Sequence, residues 1–168
     1  MKIENIDWNT WQPKENATLL FVIQGNNILL IHKKRGLGAG KINGPGGRLE
    51  PGESPYECAV REVQEELCIT PFNLTQCGEL RFQFIDGHSI HGYVFTASDY
   101  EGTPQETSEA IPIWSTIEKI PYDQMWEDDQ YWVPWMLEGI YFDARFLFDE
   151  DTMLGMQMSL ERKTSPSS

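Results

Sequence analysis

Residues 43 to 69, Asn43-Gly-Pro-Gly-Gly-Arg-Leu-Glu-Pro-Gly-Glu-Ser-Pro-Tyr-Glu-Cys-Ala-Val-Arg-Glu-Val-Gln-Glu-Glu-Leu-Cys-Ile69, decide how the rest of the chain is read. The first half is a glycine-rich turn, and the second half carries the start signals of a helix. Ser54 is placed to cap it, Pro55 suits the first helical position, where a missing N–H costs nothing, and Glu57 completes a capping box. Tyr56, Ala59, Val60, Val63 and Leu67 recur at helical spacing and predict the buried stripe. Glu62, Glu65 and Glu66 stand at i, i+3 and i+4, so their carboxylates share another face. Such a cluster repels itself. It is either a solvated acidic face or the ligand set of a hard cation such as magnesium, which takes carboxylate and phosphate oxygens together.

The spacing on both sides favours the ligand reading. Gly47, Glu53, Arg61, Glu62, Val63, Glu65, Glu66 and Ile69 fall at the intervals of a known pattern. The stretch resembles the Nudix box: glycine, five residues, Glu, seven residues, then Arg-Glu-apolar-any-Glu-Glu-any-Gly-apolar. Many specified positions at fixed spacing make this far more specific than a lone glycine-rich loop. Cys68 departs from it, standing where the box has its last glycine. That glycine ends the helix with a positive φ, which a cysteine adopts less readily.

The chain has 168 residues, the length of one domain with a full core, and 26 acidic against 13 basic residues give a net charge of −13. That balance disfavours long DNA or RNA, whose binding is driven by phosphate neutralisation, and serves solubility equally well. Cys58, Cys68 and Cys77 are odd in number and lack metal spacing, which argues against a disulfide framework. Neither a secretory leader nor an apolar run of membrane-spanning length is present, so the expectation is a cytoplasmic monomer without a membrane partner.

Residues 1–16 read as an extension, either loose or strapped over a domain spanning 17–162, and 163–168 as a disordered polar tail. Ala17 to Gln24 and Ile28 to His32 predict a β-hairpin around Gly25-Asn26-Asn27. Lys33-Lys34-Arg35 follows, then Gly36-Leu37-Gly38-Ala39-Gly40; these basic side chains either meet phosphates or guard a sheet edge. Leu74 to Ile85 and Ile90 to Ala97 predict a second antiparallel pair, with His88 and His91 given no role. A polar loop over 100–110 leads to a short strand at 111–114. The aromatic run 126–137 has helical period, and a last hairpin turns at 149–151. Strands bracketing one helix, with a second helix late, suit an α/β sandwich around a mixed sheet.

Beyond the box, nearly the whole chain from Thr18 to Leu160 resembles one branch of the Nudix family, the MutT-type hydrolases of oxidised purine nucleoside triphosphates. The informative stretches are Lys33 to Lys41 leading into Asn43 to Gly47, Gly102-Thr103-Pro104 before Glu109, and Met125-Trp126-Glu127-Asp128-Asp129. The resemblance implies a Nudix α/β/α sandwich with a central mixed β-sheet. It also implies magnesium-dependent hydrolysis of 8-oxo-dGTP and 2-hydroxy-dATP to the monophosphate and pyrophosphate, with manganese an acceptable substitute. Metal ligands would be Glu62, Glu65, Glu66 and Glu109 with the carbonyl of Gly46. Glu66 is the first choice for activating water, with Glu65 and Glu109 as alternatives. Glu53 and Arg61 would form a structural ion pair. Thr18, Lys33, Asn43, Pro45, Gly47, Arg48, Trp126, Glu127, Asp128 and Asp129 would line the nucleotide site. Leu37 and Pro45 replace phenylalanines of that branch, which leaves identical base selectivity open. Other expectations compatible with the box are a different diphosphate-linked substrate (a nucleotide sugar, a dinucleoside polyphosphate or an RNA 5′ end) and a sensing domain that binds nucleotide without cleaving it.

Overall fold

A nine-stranded mixed sheet with a helix on each face organises the chain in a computed structural model that describes residues 1–161. The tail expected at 163–168 lies outside the described residues. β1 (Glu15–Gln24) and β2 (Asn27–Lys33) form the expected hairpin, in which Gly25 takes φ +59°. β3 (Ile42–Asn43) and β4 (Gly46–Arg48) are short, pairing with β2 and β1. β5 (Thr70–Phe84) and β6 (Ser89–Glu101) form the long antiparallel pair, and β7 (Ala110–Thr116) returns to β2. β8 (Tyr141–Asp149) and β9 (Thr152–Glu161) close the sheet. The order is β3-β2-β1-β6-β5-β8-β9, with β1·β6 and β5·β8 parallel.

Alternation along the strands feeds two cores. Leu20, Val22, Leu29 and Ile31 face α1 (Pro55–Leu67), meeting Ala59, Val63 and Leu67. Their neighbours Phe21, Ile28 and Leu30 face α2 (Asp129–Leu137), meeting Trp132, Val133 and Met136 together with Phe142, Phe146 and Phe148. Both faces of these strands are covered, so their sequence reads as continuous apolar runs rather than as alternation.

Two expectations shift, and one left open is decided. Tyr56 was placed in the buried stripe of α1 but is 52% exposed, its ring edge-on to Phe95 at 6.4 Å; Cys58 and Glu66 are buried on this helix instead. α2 begins at Asp129 rather than Trp126, because Trp126 to Asp128 form a turn closed by the Asp129 N–H on the Trp126 carbonyl at 3.1 Å. The N-terminal segment is a strap. Ile3 is buried against Gly155 of β9, the Trp11 indole donates to Gln83 Oε1 at 2.9 Å, and the Lys14 amide donates to Ser89 Oγ at 2.9 Å.

At its N-terminus α1 forms the predicted capping box: the Glu57 amide donates to Ser54 Oγ at 3.1 Å and the Ser54 amide to Glu57 Oε1 at 3.0 Å. At its other end Cys68 takes the left-handed cap itself, with φ 62° and ψ 29°. A residue with a Cβ is strained there, whereas glycine is not. Cys68→Gly should therefore raise stability by about 0.5–1 kcal/mol, the relief of strain exceeding glycine's entropic cost. Urea unfolding of the two proteins checks this, and an unchanged or lower midpoint would show that the cap is unstrained.

Candidate active site

Arg61 fixes the glycine turn to α1. Its Nε and Nη2 donate to Glu53 Oε2 and Oε1 at 2.6 and 2.8 Å, and Nη2 also donates to the Arg48 carbonyl at 3.0 Å. This fork holds the Glu53 carboxyl down to about 2, well below the usual carboxylate range. Two glycines then bring β4 against its neighbours. A Cβ on Gly46 would stand 1.8 Å from the Thr18 carbonyl oxygen, and one on Gly47 would stand 2.4 Å from the Glu62 carboxyl carbon. No other residue fits either position without moving main chain or a site carboxylate.

Glu62 and Glu66 project from α1 toward that turn, and Glu109 joins them from the residue just before β7. One carboxylate oxygen from each lies within 4.8 Å of the others. Hydrogen bonds across the end of α1 explain how a residue so distant in sequence arrives. The Gln105 amide donates to the Leu67 carbonyl at 2.9 Å, the Thr107 hydroxyl to the Glu66 carbonyl at 2.8 Å, and the Glu109 amide to Thr107 Oγ1 at 3.2 Å. Glu65 is not in this group: its Oε2 accepts from Arg61 Nη1 at 3.2 Å, and its side chain is half exposed. Glu62 also accepts from Arg61 Nη1, at 2.8 Å.

Glu66 is the buried member, 3% exposed, and its Oε1 accepts the Gly46 amide at 3.0 Å. It is therefore the amide of Gly46 that the structure brings to this cluster. Burial pushes the Glu66 carboxyl up to about 8, with the charges of Glu62 and Glu109 adding to the rise and the Gly46 amide and Lys33 opposing it. Burial likewise raises Glu62. Three converging carboxylate oxygens, two of them on side chains whose burial disfavours ionisation, are a donor set suited to a hard divalent cation.

The cluster lines one side of a cavity of about 500 Å³. Thr18, Lys33, Asn43, Gly46, Gly47, Arg48, Glu62, Glu65, Glu66, Glu109, Trp126, Asp128 and Asp129 all border it. Pro45 and Glu127 do not: Pro45 is buried with its carbonyl accepting the Leu20 amide at 2.8 Å, and Glu127 Oε1 accepts the Met153 amide at 2.7 Å, pinning the turn before α2 to β9. Thr18 reaches the wall, but its hydroxyl lies 3.3 Å from Cys58 Sγ. Asn43 Nδ2 donates to the Lys41 carbonyl at 3.2 Å, and Lys33 Nζ to the Leu37 carbonyl at 2.6 Å. Burial lowers the Lys33 ammonium, against the pull of Glu66.

Across the cavity, Trp126 packs edge-on against Phe148 at 5.6 Å, with Lys41 Nζ 5.4 Å from its ring centre. Asp128 is 1% exposed and Asp129 7% exposed. Asp128 Oδ2 accepts the Trp132 indole N–H at 2.8 Å, while its Oδ1 is buried with no hydrogen-bond partner among the described residues. Burial lifts both carboxyls, and the Asp128 charge adds to the rise at Asp129, so the pair titrates together and Asp129 keeps its proton well above the ordinary range. The apolar floor of Leu80, Phe82, Phe84 and Ile90, and His88 and Glu15 at the rim, were not anticipated as site residues. Residues 80, 82 and 84 alternate and so share a face, but nothing in the alternation says that this face lines a cavity.

Comparisons with known proteins agree with this geometry. A NUDIX domain model matches residues 13–136. The chain is 43% identical over 132 residues to the oxidized purine nucleoside triphosphate hydrolase of Danio rerio, covering 78% of this chain and 85% of that protein. It is 37% identical over 143 residues to the protein of the same name from Mus musculus, covering 84% and 92%. A MutT protein from Bacillus halodurans superposes with a TM-score of 0.78 over 86% of this chain and 97% of its own, at 23% identity, which shows a shared fold.

With no cation bound, the native state holds a proton on Glu66 that the unfolded chain releases near 4.5, the ordinary glutamate value. Stability should therefore fall as pH rises from about 5 to about 8, by on the order of 3 kcal/mol for this group. Urea unfolding in a chelator across that window measures it. The slope should shrink in Glu66→Gln and on adding a divalent cation; an equally steep Glu66→Gln profile would assign the effect to other groups.

Proposed function

The chain belongs to the NUDIX family, and on that premise we propose that it hydrolyses oxidised purine nucleoside triphosphates, 8-oxo-dGTP and 2-hydroxy-dATP among them, to the monophosphate and pyrophosphate. The observation that carries the base assignment is the adjacent, buried carboxyls of Asp128 and Asp129, both raised by burial and lying across one cavity from the acidic cluster. An ionised carboxylate accepts a base N–H, and a protonated one donates to a base oxygen or nitrogen. Side by side, they can read the polar edge of more than one oxidised purine. Trp126 offers a π face for stacking.

Magnesium, with manganese as substitute, would be held by Glu62, Glu66 and Glu109, and would supply charge neutralisation at the phosphates together with a more acidic water. The chain's own groups do the positioning. Gly46 orients Glu66 through its amide, Glu66 takes the proton of the attacking water, and Lys33 and the glycine turn border the phosphate path. Glu65 and Glu109 remain the alternative bases. Hydrolysis adds one water across a phosphoanhydride and returns two acidic phosphates. We further assign the protein to the cytoplasm as a monomer without a long nucleic-acid partner, in keeping with its net charge of −13 and with cysteines that form no disulfide. Among the described residues no helix is long and apolar enough to cross a membrane.

Pyrophosphate release with magnesium should show kcat/KM at least about tenfold higher for the oxidised purines than for dGTP, a difference of about 1.4 kcal/mol. Asp128→Asn and Asp129→Asn should erase that preference, and Glu66→Gln should cut turnover by about 10²- to 10⁴-fold with the fold intact. Equal rates on dGTP would leave a general nucleotide diphosphatase, turnover of ADP-ribose alone would move the substrate elsewhere, and binding without pyrophosphate release would make the protein a sensor.

A further inference from the structure

We propose that Arg35 grips the terminal phosphates of the substrate and thereby sets a preference for a triphosphate over shorter tails. This deepens the nucleotide reading above and rests on it. Four cations stand at the acidic end of the cavity or beside it: Arg61 and Lys33 are bound within the turn and loop, Arg48 is held by one exposed pair outside the acidic cluster, and Arg35 by one exposed pair with the cluster itself. Arg61 spends its donors on Glu53, Glu62, Glu65 and the Arg48 carbonyl. Lys33 is tied to the Leu37 carbonyl, and Arg48 Nε pairs with Glu15 Oε2 at 3.2 Å. Arg35 differs. Its side chain is 64% exposed, and its Nη2 lies 3.1 Å from Oε1 of Glu109, one of the three clustered carboxylates.

The main chain around Arg35 is anchored while its side chain is not. The Lys34 amide donates to the Glu109 carbonyl at 2.9 Å, and the Lys33 amide and carbonyl close the loop on Lys41 and Gly40 at 3.0 and 2.9 Å. Gly36, at φ +83°, then turns the chain away. The guanidinium is thus presented at the cluster by a fixed base and held there by one exposed ion pair. Such a pair is weak and easily exchanged. A cation on Glu109 draws charge from that pair, and the phosphate tail arriving with it offers a planar fork two oxygens in place of one. Neighbouring Lys34 faces away: its Nζ pairs with Glu106 and donates to the Thr107 carbonyl at 2.8 Å.

The test is titration calorimetry of the full chain with inorganic pyrophosphate in magnesium, on wild type, Arg35→Met, Arg35→Lys and the charge-matched control Lys34→Ala, with the kcat/KM ratio of 8-oxo-dGTP to 8-oxo-dGDP as a second readout. Arg35→Met should weaken pyrophosphate about tenfold and lower the ratio comparably, Arg35→Lys should fall between, and Lys34→Ala should stay near wild type. Affinity for 8-oxo-dGMP should be unchanged in every variant. Pyrophosphate affinity within twofold of wild type in Arg35→Met, or an equal loss in Lys34→Ala, would overturn the proposal. Because pyrophosphate binding needs no turnover, a wild type that ignores oxidised purines would defeat the substrate reading while leaving the Arg35 result legible.

Discussion

The Arg61 guanidinium is the joint on which the site depends. It binds Glu53 with two parallel hydrogen bonds, takes the Arg48 carbonyl, and reaches Glu62 and Glu65 with its remaining nitrogen. A rigid planar fork can hold the glycine turn and the helix at fixed spacing, which a lysine's single ammonium cannot do. That spacing lets the Gly46 amide meet Glu66 and leaves no room for a side chain on Gly47. The Glu53–Arg61 side chains are only 12% and 22% exposed, so desolvation offsets much of their attraction and the value of the pair lies in placement.

Around that joint, the cavity holds two groups of carboxylates, each with at least one member buried by the fold. Glu62, Glu66 and Glu109 crowd one side, and Asp128 with Asp129 the other. Ionising Glu62, Glu66, Asp128 or Asp129 is costly without a ligand, because burial and neighbouring charges disfavour it. The two groups differ in what relieves that cost. Three acids with oxygens within 4.8 Å suit a cation, whereas two adjacent buried acids whose ionisation burial disfavours suit a neutral partner rich in hydrogen bonds. A cavity with one side of each kind matches a ligand that is anionic at one end and a polar ring at the other.

Much of this was legible because the information is local. The cap at Ser54 and the acidic face of α1 follow from spacing along one helix, the Glu53–Arg61 pair from the resemblance of the box, and the hairpins from turn residues between apolar runs. Legibility fails where tertiary contacts decide. Glu62, Glu65 and Glu66 look equivalent in sequence, yet Arg61 turns Glu65 aside while the Gly46 amide draws Glu66 inward. Tyr56 fits the helical stripe by period, but it sits in the first turn of α1, where the ring meets Phe95 edge-on and stays half exposed. The floor residues Phe82 and Phe84 belong to a strand whose alternation is plain but whose facing partner, the turn before α2, lies more than forty residues on.

The departures from the resembling branch sort by the same reasoning. Pro45 and Leu37 both replace phenylalanine in sequence, but only Leu37 borders the cavity, with 48% of its surface exposed at the rim. Pro45 is buried away from it, and its carbonyl receives the Leu20 amide, so its effect on substrate passes only through the position of β4. Gly38, one residue beyond Leu37, allows the loop to approach Trp126 so closely that a Cβ would stand 2.7 Å from the indole nitrogen. The loop and the stacking ring are therefore set together. Leu37 borders the same cavity as Trp126 and the Asp128–Asp129 pair, and Trp132 holds Asp128 from the core. The Asp128 carboxyl is thus fixed from the core by Trp132, whereas Leu37 borders the cavity from an exposed loop.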